Sequence, residues 1–165
     1  MSDAAPAPGV SLTGFTAKGA AFRAARTTND DGLLDIVIGA ADDVCHAART
    51  ERFTKSLHLT LHAKGAMAPG TFPVVDDTVM GGSGPAPQAT VFVWNVYDVG
   101  PDRCALSGGD EAVTGGTITI ASVGESIVEG TLAITLRKGG PVSGAFQASA
   151  CARPDDGTHA CALGH

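Results

Sequence analysis

In the run "TTNDDGLLDIVIGA", residues 27–40, Asn29, Asp31 and Asp35 are spaced two and four residues apart and carry side-chain oxygens. Oxygen donors at such intervals on a loop suit a hard cation, which makes calcium the one candidate cofactor and these three residues its candidate ligands. Thr27 stands where the leading acid of such a loop would be, so the set starts one carboxylate short. The alternative needs no ion: an Asx-rich hairpin turn, with Asn29 and the Asp side chains bonding local backbone and Gly32 taking the left-handed position. The turn is the simpler reading.

The histidines raise a second possibility. His58 and His62 have the HxxxH spacing that holds zinc on a helix, but "KSLHLTLHAK" alternates as a strand. Four residues then span about 13 Å, too far for two ligands of one ion. His46 or His159 would have to be brought near by folding, and His165 ends the chain. No GxSxG elbow is present, no Ser has a local His or Asp partner, and the glycines at 81, 82 and 84 lack the Lys and helix of a phosphate loop. The acid pairs Asp30–Asp31, Asp42–Asp43, Asp76–Asp77 and Asp155–Asp156 read as solvated turns. A catalytic site is therefore not expected; a hydrolase would have to assemble around His58, His62 and the acid pairs from distant loops.

Cys45, Cys104, Cys151 and Cys161 are even in number and show no CxxC spacing, which fits two disulfides better than a zinc site. Four cysteines allow three pairings. Cys151 and Cys161 could close a local loop and leave Cys45 with Cys104, each bridge worth roughly 3 to 5 kcal/mol in the chain-entropy picture. Buried free thiols in a reducing compartment are the alternative.

The elements that must position these groups follow from composition. The 165 residues are 44% hydrophobic and 17% charged, with 22 glycines, nine prolines and 5% aromatic residues, so one domain of short strands and tight turns is expected. A net charge of −6 with scattered Lys and Arg gives no footprint for nucleic acid. No run of residues has the length and apolarity of a transmembrane helix. The start "MSDAAPAPGVS" has neither a basic n-region nor an apolar h-region, so the chain is either cytoplasmic or has Met1 in place of an export signal.

Residues 1–9 are small and Pro-rich and read as a flexible N-terminal tether; residues 10–165 read as a single domain. Period-two patterning predicts strands over 20–26, 33–39, 55–64, 89–99, 116–123, 127–138 and 141–150, with "TTNDDG" and "RKGGP" as hairpin turns. Residues 89–99 are apolar on both faces, which predicts a central, covered strand. "ADDVCHAART" breaks the alternation and predicts one short helix near 41–50. Seven to nine strands with turns every 8 to 12 residues predict an all-β fold, a jelly-roll-like β-sandwich.

Three resemblances add to this reading. The 27–40 loop resembles one integrin-type propeller repeat, although it occurs once and lacks the first Asp. "DDTVMGGSG" at 76–84 is similar over nine residues to the complex I intermediate-associated family, without its flanking tryptophan segment. The third covers residues 33–151. "LLDIVIGAADDVCHAA", "SLHLTLHAKGAMAPGTFPV" and "GGTITIASVGESIVEGTLAITLRKGGPVSGAFQASAC" resemble an uncharacterised family of bacterial extracytoplasmic proteins, many of them lipoproteins. Cys45, Gly116, Gly130, Gly144, Phe146 and Cys151 match its pattern. The resemblance implies export, a β-sandwich and no catalytic residues.

The expectation from sequence is thus a secreted, periplasmic or surface-anchored, non-catalytic β-sandwich. Its role would be structural, in self-assembly, or in binding a protein partner through sheet edges such as 89–99 and 116–123. A lipid anchor could lie upstream. The alternative is a calcium-dependent small-ligand or carbohydrate-binding module centred on Asn29, Asp31 and Asp35.

Overall fold

The structure is a computed structural model that describes residues 9–40, 54–75, 87–100, 103–107 and 113–151. All regular structure among these residues is β. The ten strands are β1 (Val10–Thr13), β2 (Gly19–Arg26), β3 (Gly32–Gly39), β4 (Thr54–Ala63), β5 (Gly70–Pro73), β6 (Gln88–Gly100), β7 (Arg103–Ser107), β8 (Val113–Val123), β9 (Ile127–Leu136) and β10 (Gly140–Ala150). The predicted helix over 41–50 lies outside the described residues.

All the strands belong to one sheet, in the order β5-β8-β9-β10-β2-β3-β4-β6-β7, with β1 added to β10. Two antiparallel meanders make up the wall: β2-β3-β4-β6, and β5-β8-β9-β10. Two short parallel contacts join them. At one seam β10 meets β2 through only two registered pairs, Ser149 with Ala21 and Ala150 with Phe22, and the Cys151 N–H extends the ladder by donating to the Phe22 carbonyl at 2.9 Å. At the other, Val74 bridges Ala89 in parallel and the Val75 N–H donates to the Ala89 carbonyl. The result is one sheet curled into a nearly closed barrel, where sequence patterning had pointed to two facing sheets. Both arrangements need the same inward-outward alternation, so periodicity cannot separate them.

That alternation fills the interior. β9 reads buried at every second residue, through Val128, Gly130, Leu132, Ile134 and Leu136. Across the first meander, Phe22, Ile36, Leu59 and Val91 are in register, flanked by the row Leu34, Leu61, Ala89 and the row Ile38, Leu57, Val93. These side chains join Phe72, Ile118, Ile120, Val142 and Phe146 in a single core.

Curvature requires glycine at a few wall positions. Gly116 and Gly144 have φ of 132° and 147°, and a Cβ at either would collide with backbone, of Ala133 and Ile134 at Gly116 and of Ser11 and Leu12 at Gly144. Glycine at such points lets a strand bend and its neighbour approach, which gives a packing reason for two of the positions matched in the resemblance.

The 89–99 and 116–123 segments are not edges. β6 has β4 on one side and β7 on the other, and β8 lies between β5 and β9. β1, β5 and β7, of four to five residues, were not anticipated because runs so short carry too few periods to be recognised.

Candidate functional site

The residues with candidate chemistry are carried by β2, β3 and β4, whose outward positions form cross-strand rows. Arg23, Asp35 and Thr60 lie side by side in one row, and Ala25, Leu33 and His62 in the next. Ala21, Val37 and His58 form a third.

The 27–31 turn connects β2 to β3. The Thr27 N–H donates to the Asp31 carbonyl at 2.9 Å, the Asp30 N–H to the Thr27 carbonyl at 3.0 Å, and the Asp31 N–H to Thr27 Oγ1 at 3.1 Å. Thr27, standing where a calcium loop would place its first acid, is thus the residue that organises the turn. The left-handed position falls at Asp30, with φ 64°, and not at Gly32. Gly32 is needed for another reason: a Cβ there would sit 2.6 Å from the Met67 nitrogen, and its N–H donates to the Gly65 carbonyl. The loop after β4 therefore packs directly on the start of β3.

Of the three candidate calcium ligands, Asp31 turns its carboxylate to that loop and accepts the Gly65 N–H at 3.0 Å. Asp35 lies on the outer wall, where it accepts from Thr60 Oγ1 at 3.1 Å and from Arg23 Nη2 at 3.2 Å. Four extended residues, about 13 Å, separate the two positions. Asn29 is exposed in the turn. Both carboxylates are engaged with protein partners in different places, and no group of three or more His, Cys, Asp or Glu side chains converges on a metal-sized centre among the described residues.

His58 and His62 share the outward face of β4, as the alternation predicted, in separate rows. His58 Nε2 lies 3.1 Å from Ser56 Oγ. His62 sits in register with Leu33 and Gln88. His46, His159, His165 and the acid pairs at 42–43, 76–77 and 155–156 lie outside the described residues. So do Cys45 and Cys161, while Cys104 is placed on β7 by its backbone alone. Cys151 is buried beside Ala21 and Val37 and is disulfide-bonded.

A second feature appears at the β10–β2 seam, where Phe22, Arg23, Ala24, Val123, Gly124, Glu125, Ala150 and Cys151 line an open cleft of about 670 Å³. The Phe22 carbonyl points across the seam to Cys151, away from β3. Strand alternation then directs the N–H and C=O of Ala24 and Arg26 the same way, while Arg23 and Ala25 face β3. The registered β10–β2 ladder ends at Phe22, so the edge of β2 beyond it borders the cleft with no strand beside it among the described residues.

No family model, curated protein or solved structure matches this chain. The open edge was invisible in the sequence because "AAFRAAR" reads as an ordinary strand; the short parallel pairing with β10 leaves its second half without a neighbouring strand among the described residues.

Proposed function

We propose that this protein is a non-catalytic, extracytoplasmic interaction domain that takes up an extended strand of another polypeptide along the open edge of β2. The supporting observation is the cleft at the seam, lined on its β2 side by Phe22, Arg23 and Ala24, with the backbone groups of Ala24 directed toward it. An edge with no strand beside it among the described residues, next to a concave, mostly apolar lining, offers main-chain hydrogen bonds and side-chain burial together, the two ingredients of strand addition. β10 already uses the same edge in this way over Ser149 and Ala150, so an added strand would prolong an existing ladder.

An extracytoplasmic setting rests on the even cysteine count, the bonded state of Cys151 and the resemblance of residues 33–151 to exported lipoproteins.

Self-association is the form of this reading that needs no unidentified partner. Size-exclusion chromatography with light scattering at several concentrations tests it, together with the Ala24→Pro variant. Concentration-dependent dimers that disappear in the variant are expected. A strict monomer at every concentration would remove the self-assembly form, and amide exchange at Ala24 as slow as at the β3-paired Ala25 in that monomer would remove the open edge itself.

A further inference from the structure

We draw no further inference here: the strongest candidate, the uncharged face of Thr71, Thr117, Thr119, Thr131, Ser143 and Ser11 that β5, β8, β9, β10 and β1 turn outward, is an unpartnered surface, and nothing in the structure shows what covers it.

Discussion

The Phe146 ring lies directly over Gly130, its registered cross-strand partner, so closely that a Cβ on Gly130 would be 2.8 Å from the ring's Cζ. An aromatic side chain folded across a neighbouring glycine covers backbone that would otherwise lack packing, and it lets the sheet bend inward there. Residue 130 must stay small and residue 146 must stay large. Gly130→Val should destabilise the fold by about 1 to 3 kcal/mol through overpacking against both the ring and the Thr119 carbonyl oxygen, 2.6 Å from the new Cβ, so that shrinking residue 146 relieves only part of it. Phe146→Ala should cost about 3 to 5 kcal/mol through the cavity it leaves. Urea denaturation of both variants checks the pair, and the double variant Gly130→Val/Phe146→Ala should cost less than the sum if the two share one space.

The two faces of the β2 backbone should respond differently to proline. Ala24 directs its N–H to the cleft, so Ala24→Pro removes no ladder hydrogen bond and should cost under about 1 kcal/mol. Ala25 faces Leu33 in β3, and Ala25→Pro should cost about 3 kcal/mol or more. Equal losses in thermal and urea unfolding would mean that the edge of β2 is covered.

Asp31 ties the loop after β4 to the start of β3 through the Gly65 N–H. Asp31→Ala should speed amide exchange at Gly65 while leaving the core strands protected, at a stability cost of about 1 kcal/mol. Gly32→Ala should be worse, because its new Cβ would press on the Met67 nitrogen and no side chain can move aside to make room.

Calorimetric titration with calcium should give no heat and no change in melting temperature, since Asp31 and Asp35 face different protein partners. A saturable heat that vanishes in Asp31→Ala would restore the calcium-dependent binding module.

Cys151 should resist alkylation in denaturant unless a reductant is added, as expected of a bonded cysteine. Cys151→Ala should lower stability by about 2 to 5 kcal/mol under non-reducing conditions, and a reductant should erase most of that difference. Peptide mapping without reduction would also identify its partner.

Much of the wall was legible in the sequence. "GTLAITL" and "SLHLTLHA" alternate so cleanly that their strands and inward faces follow from period two alone, since each inward residue must leave water while its neighbours stay in it. The "RKGGP" turn and the pairing of 127–138 with 141–150 were local for the same reason: adjacent strands joined by a few residues pay little loop-closure entropy. The "TTNDDG" turn was also placed correctly, but its inner geometry was not, because the choice of Asp30 over Gly32 as the left-handed residue depends on a distant loop packing against Gly32.

What residue order by itself determined is therefore the β class, the alternating faces and the hairpins, all set by interactions between residues close along the chain. Tertiary structure alone decided that the two meanders curl into one nearly closed barrel, that β6 and β8 lie inside the sheet, and that among the described residues half of β2 has no strand beside it. The closure and the partial pairing of β2 depend on parallel contacts between segments more than a dozen residues apart, Ala150 with Phe22 and Val74 with Ala89, and the interior places of β6 and β8 on the short antiparallel strands β7 and β5, for all of which period-two patterning contains no term.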